Sequence, residues 1–378
     1  MTALDQGELC SPLLHRHESL GAKLGDFAGW QMPLQYPTGV LAEHTSVRER
    51  VGIFDVSHLG TVWVTGRGAA DFINSCFTND INRISKGQAQ YTLCCNELGG
   101  VVDDVFVYRV SDDRLLCVPN AANTGYVAQL LAKHAPHGVE VENTHGSSAI
   151  IAVQGPSSTE LLNKVGVASP GRYLSFHTVQ SGATGSAIMV CRSGYTGERG
   201  YELIVPSGDA ALMWDHLLTA AASVGGAPCG LAARDTLRTE MGYPLHGHEL
   251  SPDVTPLEAR LDWAVAWAKP AFWGRDALLE QRAAGPARAL VGLKLSDRAI
   301  ARPGMVVRAE PGSVPRGVIT SGTFSPTLGT GIALALVDTE LKADAAAEGS
   351  ATVVVDVRGR EVAAAVTAPP FVTTHGLR

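Results

Sequence analysis

The sequence predicts an α+β protein that ends in an all-β domain. Two observations carry this prediction. Helix-period and strand-period segments alternate irregularly through the first two thirds of the chain, without a repeating βαβ unit. Beyond about residue 285, six short strand-like runs follow one another, most of them separated by glycine or proline. Turn formers are abundant throughout. The 378 residues include 41 glycines and 20 prolines, so glycine is about 11% against a usual ~7%.

Taken in order, residues 1–56 open with a short helical segment. The stretch Phe27-Ala28-Gly29-Trp30-Gln31-Met32-Pro33 reads as a loop, and a charged helix is expected over 43–50. Strands are expected at Thr61–Thr65, Val101–Val110 and Arg114–Val118, with a short helix near Asp71–Cys76 and another near Asn123–His134. In the middle, Ala149–Val153, Ala187–Arg192 and Tyr201–Val205 read as strands. Ala210–Ser223 and Leu231–Met241 read as helices, the latter with Arg234 and Arg238 one turn apart. Prolines at 252 and 256 suggest a boundary. A helix near Arg275–Arg282 precedes the C-terminal strands Ala289–Leu295, Met305–Arg308, Gly317–Thr320, Ile332–Val337, Thr352–Val357 and Glu361–Val366, which fit a small barrel or sandwich.

Composition excludes several classes. Apolar residues make up 45% and charged residues 18%, a balance suited to a folded globule of two or three domains. A net charge of -7 argues against a general nucleic-acid binder. No apolar run is long enough to span a bilayer, and Met1–Gly25 lacks the apolar segment of a secretory signal. Seven cysteines without a Cys-x-x-Cys pair suggest reduced thiols, so a cytoplasmic location is expected. Phosphate-cradling, dinucleotide-binding, serine-elbow and zinc-helix motifs are absent.

Three segments carry candidate chemistry. Val101-Val102-Asp103-Asp104-Val105-Phe106-Val107-Tyr108 places two carboxylates inside a strand, where aspartate is depleted. The alternating geometry sends Asp103 and Asp104 to opposite faces, and periodicity alone leaves open which one is functional. The alternative is structural: one pairs with an internal arginine and the other caps a loop. Gly194-Tyr195-Thr196-Gly197-Glu198-Arg199-Gly200-Tyr201-Glu202 is a sharply turning glycine loop presenting aromatics and carboxylates. Glu198 in the turn is expected to face solvent, and Glu202 to point opposite to Tyr201. Gly230–Arg238 opens a helix with Arg234 in its first turns, which is unfavourable for the helix dipole unless a partner lies elsewhere. A surface salt bridge is the plainer reading. His58 reads as a general base or a hydrogen-bonded structural histidine, and His246-Gly247-His248 as a polar turn or a metal pair. Cys94-Cys95 reads as core.

Together these blocks resemble one family closely. With Phe54-Asp55-Val56-Ser57-His58, Gly99-Gly100-Val101-Val102-Asp103-Asp104, Gln154-Gly155-Pro156 and Ile319–Gly329, in family order across nearly the whole chain, they are similar to the glycine cleavage system T-protein. The resemblance implies a three-domain ring around a central folate cavity. The domains would be 1–56 with 145–250, an inserted 57–144, and a β-barrel domain at 255–378. It implies an aminomethyltransferase acting on the lipoylated H-protein, which works beside a glycine decarboxylase and a dihydrolipoyl dehydrogenase. The methylene of an S-aminomethyldihydrolipoyl arm passes to tetrahydrofolate, giving 5,10-methylenetetrahydrofolate, ammonia and the dihydrolipoyl carrier, with no metal, flavin or nicotinamide. By the same resemblance, Asp104 is the catalytic carboxylate and Glu202 the pterin anchor. Tyr91, Val118, Tyr195, Arg234 and Tyr243 complete the folate contacts. The chain departs from the family pattern at Leu59, usually methionine, at Met241, usually alanine, and at His246 and His248, where tyrosine and glutamine are common. The alternatives are a folate-binding relative acting in demethylation or iron–sulfur assembly, and a non-catalytic folate binder.

Overall fold

The computed structural model describes residues 9–341 and 352–374. Parts of the expected outer domains, residues 1–8, 342–351 and 375–378, lie outside the described residues.

Four sheets organise the chain. A small three-stranded sheet orders Leu9–Cys10, Trp30–Gln35 and Lys23–Phe27. A six-stranded sheet runs Phe176–Gln180, Ala187–Cys191, Gly200–Pro206, Ser148–Gln154, Gly52–Asp55 and Ala227–Cys229, antiparallel except at the last pair. A five-stranded antiparallel sheet orders Gln88–Cys95, Val101–Ser111, Arg114–Val118, Val62–Thr65 and Glu140–Asn143. The C-terminal strands close a six-stranded barrel: Arg288–Leu295, Thr330–Asp338, Pro315–Ser325, Val306–Arg308, Thr352–Val357 and Arg360–Thr367. Closure leaves the barrel no free edge strand. Its interior is filled by small aliphatics such as Val307, Ile319, Ala333, Ala335, Val355 and Ala364.

The expected segments agree with these elements to within a few residues, with three instructive differences. The Phe27–Pro33 stretch is not a loop: it spans the turn of a hairpin in which Phe27 pairs with Trp30 across Ala28 and Gly29. Both turn residues have positive φ, 55° and 84°. The short strand expected at Gly317–Thr320 is part of an eleven-residue strand, broken in register between Ile319 and Ser321. Strands at Gly52–Asp55, Gln88–Cys95, Glu140–Asn143, Phe176–Gln180 and Ala227–Cys229 escaped the pattern. Gln88–Cys95 is mostly buried on both faces, so its polar and apolar residues do not alternate.

Packing tells the Leu231–Met241 helix where to start and stop. Its preceding Gly230 is extended and lies against the Leu34 carbonyl, which a Cβ would meet at 2.3 Å. The Glu43 carboxylate accepts from the Gly230 N–H at 2.8 Å, placing negative charge at the helix N-terminus. At the other end Gly242 adopts φ 68°, and the N–H groups of Gly242 and Tyr243 close back on Thr239 and Arg238. No disulfide joins any of the seven cysteines, six of which are buried, including Cys94 and Cys95. Among the described residues, no helix is long and apolar enough to cross a membrane.

Candidate active site

Strand alternation builds one wall of a cavity. Along Val101–Ser111, Asp104, Phe106 and Tyr108 face a cavity of about 410 Å³, while Val105 and Val107 point into the core on the other side. Tyr91 and Val118 flank Phe106 on the neighbouring strands, so all three form a cross-strand row. The six-stranded sheet supplies a second wall. Glu202 faces the cavity, whereas Tyr201 is buried in the opposite core with its hydroxyl 2.8 Å from Thr159. Tyr195, Arg234 and Tyr243 arrive from the glycine loop, the Leu231–Met241 helix and the segment after it. The seven positions singled out by the resemblance therefore line a single cavity. Its volume suits a small-molecule ligand.

Only Asp104 lines the cavity, but the carboxylates of Asp103 and Asp104 converge on one amide nitrogen, and neither pairs with an arginine among the described residues. Asp103 is fully buried and accepts from the Asn120 backbone at 2.9 Å and from the side-chain amides of Asn120 and Asn123, both at 2.8 Å. Asp104 accepts from the Tyr91 hydroxyl at 3.0 Å and from the Asn120 amide at 2.7 Å. One amide nitrogen thus bridges the two carboxylates, giving one hydrogen to each. Burial pushes both carboxyls above the ordinary aspartate range. The Asp104 charge adds to the rise at Asp103, and the hydrogen bonds from Tyr91 and Asn120 oppose it at Asp104.

Glu202 has a thinner set of partners. The Ser193 hydroxyl donates to it, and burial raises its carboxyl despite that bond and the charge of Arg234. Arg234 forms none of the ion pairs among the described residues. Its guanidinium stacks on Tyr195, 4.2 Å from the ring centre, and burial lowers its affinity for a proton. Among the described residues it forms no surface salt bridge; its guanidinium lies against an aromatic face at the cavity.

Glu198 is a correction. It is 1% exposed and not solvated, with Arg48 at 3.0 Å. The reason is local: Gly197, at φ 83°, packs where a Cβ would strike Met241, so the turn folds inward against the Val40–Glu49 helix. Arg48 also pairs with Glu240 at 2.8 Å.

His58 is 2% exposed, does not line the cavity and has a buried Nδ1 without a hydrogen-bond partner among the described residues. Burial and the nearby Arg234 charge push its pKa down to about 3, so it stays neutral. His246 and His248 part company: His246 Nδ1 meets the Asn123 amide at 3.1 Å, and His248 Nδ1 meets the Thr320 carbonyl at 2.9 Å. Among the described residues no group of histidine, cysteine and carboxylate side chains could hold a metal.

Sequence reasoning missed three contributors. Asn120 and Asn123 follow the Arg114–Val118 strand directly, and an Asn-x-x-Asn pair beside a strand bearing two aspartates was an available signal for carboxylate donors. Trp263, 60% exposed, lies stacked on Tyr91 at the cavity with ring centres 5.5 Å apart. Nothing in its local sequence marks it.

The comparisons with known proteins define the class first. Residues 13–269 match the GCVT N-terminal domain family, and residues 288–373 match the glycine cleavage T-protein C-terminal barrel domain. The chain belongs to the glycine cleavage T-protein family and is a folate-dependent aminomethyltransferase. Aminomethyltransferases of Frankia alni and Parafrankia sp. are 56% and 55% identical over 96% of this chain and 97% of theirs. That of Mycobacterium tuberculosis is 53% identical over 96% of each chain. The crystal structure of the glycine cleavage system aminomethyltransferase T from Bartonella henselae superposes with a TM-score of 0.89. It is 34% identical and covers 97% of this chain and 98% of that one. The demethylating and iron–sulfur alternatives gain no support from these matches.

Proposed function

We propose that this chain transfers the methylene of an S-aminomethyldihydrolipoyl group, carried by the H-protein, to tetrahydrofolate. The observation that carries this reading is the meeting of two incompletely satisfied carboxylates, Asp104 and Glu202, from two different sheets in one cavity. Two N–H groups of the folate are consumed as both nitrogens bond to the methylene. One proton goes to the departing lipoyl sulfur and one to the departing nitrogen, so dihydrolipoyl carrier, ammonia and 5,10-methylenetetrahydrofolate result.

Each wall has a part in this reading. Glu202 accepts the paired N–H donors on the edge of the pterin in bidentate fashion. Arg234, held over Tyr195, lies beside it and keeps Glu202 charged when the ligand excludes water. Asp104 orients the attacking nitrogen and stabilises the positive charge that develops during transfer. Tyr91, Val118, Tyr195 and Tyr243 bound the flat ring. We read the chain as three domains, 1–56 with 145–250, 57–144, and 255–378. Separate hydrophobic cores around the six-stranded sheet, the five-stranded sheet and the barrel support that division. The partners are the lipoylated H-protein and, in the same pathway, a glycine decarboxylase and a dihydrolipoyl dehydrogenase; the setting is the cytoplasm, and no metal takes part.

The test is ammonia release from H-protein loaded with the aminomethyl group. Release that accelerates steeply on adding tetrahydrofolate, with stoichiometric methylenetetrahydrofolate, is expected. Release indifferent to tetrahydrofolate would overturn the reading.

A further inference from the structure

His246 occupies a position where the family pattern commonly has tyrosine, and the folate reading gives it no part. Its neighbours dictate its chemical form. Asp103 Oδ1 is an acceptor, so the Asn123 side-chain atom 2.8 Å from it is the amide nitrogen. Turning that amide over would set its carbonyl oxygen against a carboxylate. The same nitrogen lies 3.1 Å from His246 Nδ1 and carries a second hydrogen. An amide nitrogen only donates, so Nδ1 accepts and the ring proton sits on Nε2. Nε2 is buried without a hydrogen-bond partner among the described residues, and burial lowers the ring's affinity for a second proton, opposed by the nearby Asp104 charge and the Val101 and Val102 carbonyls.

The contacts then form a continuous relay. His246 fixes one hydrogen of the Asn123 amide, and the other goes to Asp103 Oδ1. Asp103 Oδ1 also takes one hydrogen of the Asn120 amide, whose other hydrogen goes to Asp104 Oδ1 at 2.7 Å. The Asn120 amide nitrogen also lies 3.3 Å from the Asp104 backbone carbonyl, which fixes it as a donor and so sets the direction of its bonds to both carboxylates. We propose that His246, as the neutral Nε2–H tautomer, is a positioning residue that aims the Asp104 carboxylate through Asn123, Asp103 and Asn120. His246 also lines the cavity, but among the described residues no hydrogen bond joins it to Asp104, so its hydrogen-bonded path to that carboxylate runs through the two asparagines. This rests on the reading of Asp104 as the catalytic carboxylate.

Two measurements test it. In the wild-type protein, ¹⁵N-resolved NMR of the histidine rings at neutral pH is expected to show His246 with an unprotonated Nδ1 and a protonated Nε2. A proton on Nδ1 would overturn the relay without any variant having to fold. In steady-state assays with loaded H-protein, His246→Phe removes the acceptor and is expected to lower kcat about tenfold, the scale of one hydrogen bond. KM for tetrahydrofolate should stay within about twofold. His246→Asn sets a carbonyl oxygen near the Nδ1 position and is expected to recover most of that kcat. Equal losses in the two variants, or a loss confined to KM, would reject the positioning role. Asp104→Asn run alongside separates the two ideas. If it keeps normal kcat, the reading of Asp104 fails; if it loses activity while His246→Phe does not, the relay alone fails.

Discussion

Two regions of this molecule bury carboxylates, and they treat them in opposite ways. At the seam between the body and the barrel, Glu240 accepts from Arg48 at 2.8 and 3.1 Å, from Ser325 at 2.5 Å, and from the Thr327 backbone and hydroxyl at 3.2 and 3.0 Å. His44 adds a further contact at 3.3 Å. Burial opposes ionisation there. The hydrogen bond and charge of His44, with Ser325 and Arg48, nevertheless hold the carboxyl down at about 2. At the cavity, Asp104 has two side-chain donors and Glu202 one, and burial wins at both. The seam carboxylate is saturated and serves the fold. The cavity carboxylates retain acceptor capacity, and a buried acceptor left partly unpaired costs free energy unless a ligand completes it.

The largest effect expected from this contrast is on chemistry. Asp104→Asn should lower kcat by about 10²-fold or more, the range for loss of a positioned acid–base or charge-stabilising group. Asp103→Asn should lose at least ~10-fold less, because Asp103 does not line the cavity and reaches the site through Asn120 and its charge on Asp104. Steady-state kcat for both, at similar stability and folate affinity, checks this. Equal losses, or a greater loss for Asp103→Asn, would erase the distinction.

The seam should respond in stability instead. Glu240 has a depressed folded-state pKa, so its contribution is fully present above the ordinary carboxylate value of 4.5 and is lost as pH falls towards about 2. The whole contribution is roughly 3 kcal/mol. Glu240→Gln should therefore lower the melting temperature near neutral pH by several degrees, and the gap to wild type should narrow below pH 4. A gap independent of pH would mean that packing, not charge, accounts for the loss.

Binding separates two carboxylates of one loop. Glu202→Gln should weaken tetrahydrofolate binding by ~1.5–3 kcal/mol, or roughly ten- to over a hundredfold. Glu198→Gln should change it less than about threefold, while reducing thermal stability because Arg48 loses a partner. Calorimetric titration beside thermal melts decides it; a normal affinity for Glu202→Gln would refute the anchor. The smallest effect expected is none: dialysis against a chelator should leave turnover intact. Loss with rescue by zinc would return His246 and His248 to consideration.

Much of this was legible in residues 101–108 and 230–242. There local signals agree with the fold: alternation around Asp103 and Asp104, and glycines bounding a helix whose Arg234 and Arg238 lie one turn apart. Alternation also showed that Tyr201 and Glu202 face opposite ways. It could not say that Glu202 takes the cavity and Tyr201 the core, which the resemblance supplied. Glu198 misled because a glycine turn defaults to solvent, and only the approach of Arg48, 150 positions earlier in the chain, buries it. Gln88–Cys95 was hidden by burial on both faces, and with it the strand that presents Tyr91. Trp263 reaches Tyr91 across 172 positions of sequence, a tertiary contact with no local signature.

The central claim is that Asp104 and Glu202 serve one folate from two walls. A crystal structure with tetrahydrofolate bound tests it most directly. The account predicts the pterin edge paired with Glu202, its ring against the tyrosines, and the methylene-accepting nitrogens within reach of Asp104. A pterin seated away from Glu202, or reactive nitrogens turned from Asp104, would contradict it.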